Sequence, residues 1–270
     1  MIDPAAIARE IVTARATREP MAVLPSARGL DLPAAYAVEA ELGRLRGEGG
    51  RSPVGLKVGY ANKAVWRALK LETLTWASMY DDTVTTAAAG QATLAIGGMI
   101  APKIEPEVAM RLAAPLPAGL ADPVEVLRHV EWLALAFEII DCPYPDWKFQ
   151  PADFVAAGGL HAALVVGEPY RPAPETLGVL ADELAAFTVT LSSNDTVAAE
   201  GGGKHVLRSP ALCLAELATA RQRAGLPPLA AGDLVSTGTL TESQAIAAGD
   251  VWRAAAAGLG VAGLTLAVRP

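Results

Sequence analysis

The first 48 residues place apolar side chains at the three- and four-residue spacing of amphipathic helices. Asp3 precedes a proline and is suited to cap a first helix, whose apolar face includes Ile7 and Ile11. A second helix is predicted from near Asp31 to the segment "GEGG", because a proline follows early and glycines end the pattern. The sequence therefore predicts an N-terminal helical portion over residues 1–52.

From residue 53 onward the apolar positions form short runs or alternate with polar ones, as they do in strands. Segments such as "PVGLKVGY", "ALAFEIID" and "FTVTLSSNDTV" are separated by helical stretches without a regular strand–helix alternation. That order favours an α+β fold over a doubly wound parallel sheet.

Composition and charge narrow the classes of partner. The 270 residues are 52% hydrophobic and 19% charged, which allows a large core. A net charge of -7 without basic runs argues against nucleic acid as a partner. Cys142 and Cys213 show no zinc-type spacing, and this cysteine usage fits a reducing compartment. With no secretory signal and no apolar run long enough to span a bilayer, we expect a soluble cytoplasmic protein.

Three glutamates occupy apolar strand segments. In "KIEPEVAMRL", Glu105 and Glu107 are two positions apart, so in a strand they share one face with Cα atoms roughly 6.5 to 7 Å apart. Glu138 lies in "LALAFEIID" with apolar neighbours on both sides. Carboxylates in this arrangement suit a hard divalent cation, which takes oxygen ligands. The alternative for Glu105 and Glu107 is a strand face exposed to solvent.

Lys57 and two histidines also leave alternatives open. Lys57, in "GLKVG", is either an edge residue whose amine reaches water or a cation held for a substrate carboxylate or for proton transfer. His161 and His205 both lie beside glycine-rich segments, where a histidine is either an acid–base group or a structural residue. The phosphate-loop, serine-hydrolase and zincin motifs do not occur.

Several segments, taken in order from about residue 53 to the end, resemble the 2-keto-4-pentenoate hydratase family of the fumarylacetoacetate hydrolase superfamily. "GLKVGYANKAV" is similar to the family's lysine-bearing segment and the helix after it, and "MYDDTV" to its Leu-x-x-Asp-Met segment. "APKIEPEVAMRL" is similar to its Glu-x-Glu strand, and "LAFEIIDCPYPDW" to its second glutamate strand. "LAAGDLVSTGTLTESQAIAAGD" is similar to its closing turns.

The resemblance implies a large mixed β core, rolled or sandwich-like, with outer helices, as a fumarylacetoacetate hydrolase-like catalytic domain over residues 53–270. It implies that one Mg²⁺ or Mn²⁺ is held by Glu105, Glu107 and Glu138. It implies that Lys57 pairs with a substrate carboxylate or oxyanion and that Asp82 matches the acid of the family's Leu-x-x-Asp segment. We expect Asp82, with His161 or His205, to move protons. It also implies a homo-oligomer.

The implied reaction is the addition of water to a 2-hydroxy-2,4-dienoate, giving a 4-hydroxy-2-oxo acid in the catabolism of aromatic compounds. The alternatives are a decarboxylase acting on a 2-oxo-3-enedioate such as 4-oxalocrotonate, a C–C bond hydrolase of the acylpyruvase type, and a non-catalytic partner subunit. The metal-strand motifs do not separate the hydratase from the decarboxylase.

Three segments depart from the family pattern. Many members have an acidic residue ahead of an aromatic–Gly pair before the Leu-x-x-Asp segment, where this chain has "LTWAS". In residues 151–161 only Asp153 matches clearly, and the segment is longer. In "GGGKH", Lys204 and His205 stand where relatives often have small residues. Arg67 and Arg208 are candidates for binding a second substrate carboxylate.

Overall fold

Two helices form the N-terminal part of the computed structural model, which describes residues 2–270. Helix α1 (Pro4–Thr17) begins after Asp3, and α2 (Leu32–Glu48) begins after Asp31. Each aspartate accepts a hydrogen bond from a backbone N–H of the first turn, which satisfies a donor that has no partner within the helix. The predicted N-terminal helical portion is confirmed.

Five more α-helices and thirteen strands follow in the described residues. The helices are α3 (Lys63–Leu69), α4 (Pro123–Leu127), α5 (Pro151–Ala156), α6 (Leu177–Ala186) and α7 (Pro210–Arg223). The strands are β1 (Pro53–Gly59), β2 (Thr75–Tyr80), β3 (Val84–Thr86), β4 (Gln91–Ala95), β5 (Pro102–Leu112), β6 (Val130–Asp141), β7 (His161–Val166), β8 (Thr188–Ser193), β9 (Thr196–Gly202), β10 (Leu234–Ser236), β11 (Gln244–Ala245), β12 (Val251–Ala257) and β13 (Leu264–Arg269).

The strands form two sheets. The larger has the order β2-β1-β10-β5-β6-β7-β3, with β11 paired to β5, and the smaller has the order β4-β13-β12-β8-β9. In the larger sheet β1 runs parallel to β10, whereas β5 is antiparallel to both β10 and β6. The predicted α+β class with a mixed β core is therefore confirmed.

One hydrophobic core joins the two sheets. Buried side chains of β5, β6 and β7 pack with those of β8, β12 and β13, and with those of α4, α6 and α7. Strands β5 and β6 are the longest; most side chains of β5 and nearly all of those of β6 are buried. Long buried strands of this kind give the sheet centre a fixed register, which the site described below requires.

A second core attaches the N-terminal helices to the rest of the chain. It joins apolar side chains of α1 and α2 to those of residues 140–160. The buried carboxylate of Asp153 accepts hydrogen bonds from the backbone N–H and the hydroxyl of Ser26, at 2.7 and 2.6 Å, and from the Gln150 N–H at 2.9 Å. Asp153 thus fastens the helical portion to α5. No helix within residues 2–270 is long and apolar enough to cross a bilayer.

Candidate metal centre and active site

The register of β5 and β6 brings three glutamates together. Glu105 lies directly opposite Glu138, and Glu107 is two residues further along β5 on the same face. One carboxylate oxygen from each of the three lies within 4.8 Å of the others. Glu107 and Glu138 are 1% and 0% exposed, and Glu105 is half-buried. The cluster is therefore not a solvated strand face.

Glu107 has one carboxylate oxygen bound and one free. Its Oε2 accepts hydrogen bonds from the Ser236 hydroxyl and, at 2.9 Å, from the Gly238 N–H. Its Oε1 is buried without a hydrogen-bond partner in the described residues. A buried acceptor left without a partner is costly, and a bound cation would remove that cost. The donor set, three carboxylates without sulfur or imidazole, fits a hard divalent cation.

The pKa values of Glu105 and Glu107 are also those of carboxyl groups whose anions a nearby cation would stabilise. Burial raises the pKa of Glu105 to about 7, and it raises the pKa of Glu107 well above its ordinary value. The neighbouring Glu138 carboxylate adds to both shifts in pKa, because like charges disfavour ionisation. A divalent cation at the cluster would favour the ionised forms and hold all three carboxylates as anions.

Glu138 is instead held as an anion by two partners. Its Oε2 accepts a hydrogen bond from Lys57 Nζ at 2.8 Å, and its Oε1 is 3.0 Å from Nδ1 of His161. Burial by itself would raise the pKa of Glu138, but Lys57 and His161 outweigh it and lower the pKa below its ordinary value. A carboxylate oxygen has a second lone pair, so these bonds leave Glu138 able to act as a ligand.

Lys57 is buried in the middle of β1 and is only 2% exposed, which excludes an amine that reaches water. Burial would lower its pKa, but Glu138, Glu105 and Glu107 outweigh burial and raise it, so the amine carries its proton. Its Nζ also donates to the Gly159 carbonyl at 3.0 Å. Of the two interpretations of Lys57 from the sequence, the structure therefore supports the one in which the amine is held inside the protein as a cation.

Gly159 makes room for this lysine. Its φ is +63°, and a Cβ at this position would lie 2.6 Å from Cδ of Lys57 and 3.0 Å from Cβ of Ala77. Only glycine fits such a close approach in the left-handed region. Gly159, Ser236 and Gly238 were not predicted from the sequence. The available signals were the glycine pair before His161 and the polar segment "STGT", which begins with the last residue of β10.

A cavity of about 720 Å³ opens beside the cluster. Lys57 and Glu105 line it on one side, and its other walls carry aromatic and polar side chains. The aromatic residues are Trp147, Phe149 and Phe154, and the polar ones include Glu200, His205 and Glu242. The cavity is large enough for a small organic acid, and a carboxylate substrate would meet both Lys57 and the cluster.

The two histidines occupy different places. His205 is exposed and lines the cavity, and its Nδ1 donates to the Leu240 carbonyl at 3.1 Å, so Nε2 is the nitrogen left to exchange a proton. His161 is buried, does not line this cavity, and contacts the cluster through Glu138. Its Nε2 is 3.0 Å from the Thr83 hydroxyl, and burial lowers the pKa of its ring. His161 therefore orients the Glu138 side chain.

Asp82 is not brought to the glutamates. It lies in the turn after β2, where its carboxylate pairs with Arg46 at 2.7 Å and Arg51 at 3.2 Å. It does not line the cavity beside the cluster. Arg67 lies exposed on α3 and does not line the cavity either, whereas Arg208 lines a smaller cavity next to it.

Comparisons with known proteins show the family of this chain. Residues 56–267 match the family model for the fumarylacetoacetate (FAA) hydrolase C-terminal domain. The chain is 30% identical to the 2-hydroxyhexa-2,4-dienoate hydratase of Comamonas testosteroni, over 84% of this chain and 83% of the relative. It is also 30% identical to a 2-keto-4-pentenoate hydratase of Burkholderia vietnamiensis, over 86% of this chain and 85% of the relative.

A solved structure shows the same fold. It is that of 4-oxalocrotonate decarboxylase from Pseudomonas putida G7, complexed with magnesium and adipate. The TM-score is 0.86 at 24% sequence identity, and the match covers 98% of this chain and 97% of that one. The family model and the two relatives at 30% identity confirm the resemblance to the hydratases. The chain belongs to the fumarylacetoacetate hydrolase C-terminal family, within the group that includes the 2-keto-4-pentenoate hydratases.

Proposed function

We propose that the protein is a divalent-metal-dependent hydratase, a hydro-lyase that adds water to a 2-hydroxy-2,4-dienoate and yields a 4-hydroxy-2-oxo acid. The observation that carries this proposal is the unpartnered Oε1 of Glu107 in a three-carboxylate cluster, next to the buried cation Lys57 and a cavity for a small acid. Two relatives at 30% identity are named as hydratases of such compounds.

Glu105, Glu107 and Glu138 are the proposed ligands of the cation, for which we propose Mg²⁺ or Mn²⁺ because all three donors are hard oxygens. When bound there, the cation supplies Lewis acidity toward the carboxylate and the C2 oxygen of a 2-oxo acid. Ser236 and the Gly238 N–H orient Glu107, and His161 orients Glu138. These contacts set the direction of the ligand oxygens before the substrate arrives.

Lys57 is the proposed electrostatic partner of the substrate. Because its amine is buried and charged, it stabilises the negative charge that develops on the substrate oxygens as the dienol is converted to the ketone. In that conversion the C2 hydroxyl loses its proton and C5 gains one, which leaves C4 electrophilic. Water then adds across C3 and C4, with its oxygen at C4 and a proton at C3.

His205 is the proposed proton-transfer group for these steps. It lines the cavity, and the bond from its Nδ1 to the Leu240 carbonyl fixes the tautomer, so that Nε2 accepts or delivers the proton. Asp82 has no part in the proposal, because Arg46 and Arg51 engage its carboxylate. Asp82→Asn is therefore expected to leave turnover within about twofold, whereas His205→Gln is expected to lower kcat by about 10²-fold or more.

The test is the ultraviolet absorbance of freshly prepared 2-hydroxypenta-2,4-dienoate mixed with the purified protein. We expect fast loss of the dienol band with Mg²⁺, none beyond the blank with EDTA, and 4-hydroxy-2-oxopentanoate as the product. CO₂ release from 4-oxalocrotonate without hydration of the dienoate would replace this proposal with the decarboxylase. Metal binding without turnover of either compound would indicate a non-catalytic partner subunit.

A role in aromatic-compound catabolism, a cytoplasmic location and a homo-oligomeric state belong to the same proposal. They follow from the resemblance to the family and not from contacts within the chain. Light scattering of the purified protein tests the oligomeric state, and a mass equal to one chain would contradict it.

A further inference from the structure

A second cavity, of about 410 Å³, adjoins the one beside the glutamates. Asn62 and His205 line both cavities, so the two meet at these side chains. The smaller cavity runs along α7, between the start of α3 and the segment 204–208. A molecule bound at the glutamates would extend into it by passing between Asn62 and His205.

The smaller cavity carries unpaired positive charge. Lys63, Lys204 and Arg208 line it, all three are exposed, and none forms an ion pair with another described residue. The acid among its lining residues is Glu216, whose carboxylate accepts a hydrogen bond from Thr73 at 2.6 Å and lies 4.0 Å from Arg223. In a chain with a net charge of -7, three cations without an acidic partner around one cavity form a local site for an anion.

The segment "GGGKHVLR" holds two of these cations in place. A Cβ at Gly201, Gly202 or Gly203 would lie 1.9, 2.2 or 2.0 Å from a backbone carbonyl oxygen, so the chain packs here at a distance that excludes side chains. Leu207 and Arg208 then adopt φ values of +46° and +73°, which residues other than glycine rarely adopt. Such a conformation persists only where the surrounding packing imposes it. Lys204 and Arg208 are therefore presented by a rigid support.

The larger cavity is a poor place for a second carboxylate. Its lysine, Lys57, is already bonded to Glu138 and is the proposed partner of the oxygens at the other end of the substrate. Glu200 and Glu242 also line it, and they would repel an anionic tail. A carboxylate at the far end of a substrate is therefore attracted away from the larger cavity and toward Lys63, Lys204 and Arg208.

We propose that Lys63, Lys204 and Arg208 form a subsite for a carboxylate at the end of the substrate tail. The substrate is then a 2-hydroxy-2,4-dienoate with a carboxylate-terminated tail. This inference rests on the proposed hydratase function, because it assumes that the other end of the substrate binds at the glutamates. The subsite cations bind the tail carboxylate as an anion and hold that end of the substrate in place, while the carboxylate itself takes no part in the addition of water at C3 and C4.

The test compares two substrates that differ only at the tail. 2-Hydroxyhexa-2,4-dienoate ends in a methyl group, and 2-hydroxyhepta-2,4-dienedioate carries a carboxylate on that carbon. We expect the double variant K204Q/R208Q to lower kcat/KM for the dienedioate about tenfold and to leave the hexadienoate within twofold. The control R9Q/R269Q removes two exposed cations far along the chain from this cavity and should change neither value. High salt should reduce the preference for the dienedioate in the wild-type protein only.

The outcomes separate this inference from the proposed function. If K204Q/R208Q turns over both substrates and its kcat/KM falls equally for the two, or for neither, the subsite is overturned and the hydratase proposal stays intact. If neither substrate is turned over, the hydratase proposal fails, and calorimetric titration of heptanedioate into the metal-free proteins tests the subsite by itself. An affinity about tenfold weaker in K204Q/R208Q than in R9Q/R269Q supports the subsite, and equal affinities overturn it.

Discussion

Glu105 lies directly opposite Glu138 across the β5–β6 ladder, yet their surroundings give the two carboxyl groups different acidities. Glu138 is bound by Lys57 and His161, which hold its pKa below the ordinary value, whereas burial raises the pKa of Glu105 to about 7. Glu138 therefore ionises more readily than an ordinary glutamate, whereas Glu105 takes up a proton near neutral pH. The metal-free cluster is therefore sensitive to pH in the range where an enzyme works.

The first prediction concerns stability as a function of pH. The pKa of Glu105 is about 7 in the folded protein, against a usual value of 4.5, so the folded state binds this proton more tightly than the unfolded chain. Its contribution to stability is fully present below pH 4.5 and is lost as the pH rises through about 7. In EDTA, the free energy of unfolding of the wild-type protein should fall between pH 5 and pH 7 relative to that of Glu105→Gln.

Urea unfolding at pH 5, 6, 7 and 8 measures this difference. Saturating Mg²⁺ should reverse the trend, because the cation binds the ionised carboxylates and its stabilisation increases as they lose protons. Parallel pH profiles for the wild-type protein and Glu105→Gln in EDTA would show that Glu105 does not titrate in this range.

The second prediction concerns Glu107. Its buried Oε1 has no partner, and its pKa lies well above the ordinary value, so the metal-free protein gains little from this charge. Glu107→Gln should keep the bonds to Oε2 from Ser236 and Gly238 while removing the charge that a cation needs. Without metal, we expect the free energy of unfolding to equal that of the wild-type protein or to exceed it by up to about 1 kcal/mol. Stabilisation by Mg²⁺ and turnover should both be lost.

The matched control is Glu131→Gln on the same sheet. Glu131 lies on β6, is partly exposed and pairs with Arg111 and Arg171, so this change should leave Mg²⁺ stabilisation and activity at wild-type levels. Thermal unfolding with and without Mg²⁺ measures both variants. Full Mg²⁺ stabilisation of Glu107→Gln would remove Glu107 from the ligand set.

Part of this site could be predicted from the sequence because charge in an apolar strand is conspicuous. Glu105, Glu107, Glu138 and Lys57 each interrupt an apolar segment, and strand periodicity gives the shared face of the first two. The same reasoning was sound for the α+β class and for the N-terminal helices, because their periodicity and caps are local signals.

The remaining parts depend on contacts between distant segments, which local patterns do not show. The Ser236 hydroxyl donates to Glu107, which lies 129 residues earlier in the sequence, and nothing in "LVST" indicates this partner. The motif around Asp82 predicts a proton-transfer role, but its carboxylate pairs with Arg46 and Arg51, which come from the end of α2 and the turn after it. The contact between Asp153 and Ser26, which attaches the N-terminal helices, could not be predicted for the same reason.

The third prediction tests how the N-terminal helices are attached. Asp153→Asn would place an amide N–H₂ where the carboxylate now accepts bonds from Ser26 or Gln150. Because the site is buried, we expect unfolding to become easier by about 2–3 kcal/mol. Ser26→Ala removes only the hydroxyl and should cost about 1 kcal/mol. Chemical denaturation measures both, and equal costs for the two variants would show that the carboxylate does not hold the segment.

The fourth prediction concerns the buried pair of Lys57 and Glu138, whose atoms are 2.8 Å apart. Lys57→Met leaves Glu138 anionic without its cation and should destabilise the metal-free protein by about 3–5 kcal/mol. Glu138→Gln leaves Lys57 near Glu105 and Glu107 and should cost less. The double variant should be more stable than the sum of the two losses predicts, with a coupling of at least about 1 kcal/mol in urea unfolding. Additive losses would mean that the two side chains do not depend on each other.

The fifth prediction compares two adjacent glycines that share a backbone conformation but not their surroundings. Gly158 and Gly159 have φ values of +65° and +63°, so alanine should be strained at either position by about 1 kcal/mol. A Cβ on Gly158 has Leu42 at 3.8 Å as its nearest neighbour, whereas a Cβ on Gly159 would lie 2.6 Å from Cδ of Lys57. Gly158→Ala should therefore lose stability and keep its activity.

Gly159→Ala should show the same strain and, in addition, displace the Lys57 side chain from Glu138. We expect kcat/KM to fall at least tenfold below that of Gly158→Ala, because Lys57 no longer lies where charge develops on the substrate. Steady-state kinetics and urea unfolding of both variants supply the comparison. Because the backbone strain is matched, a difference in activity between the variants reports the position of Lys57. Equal activities would show that catalysis does not depend on where this amine is held.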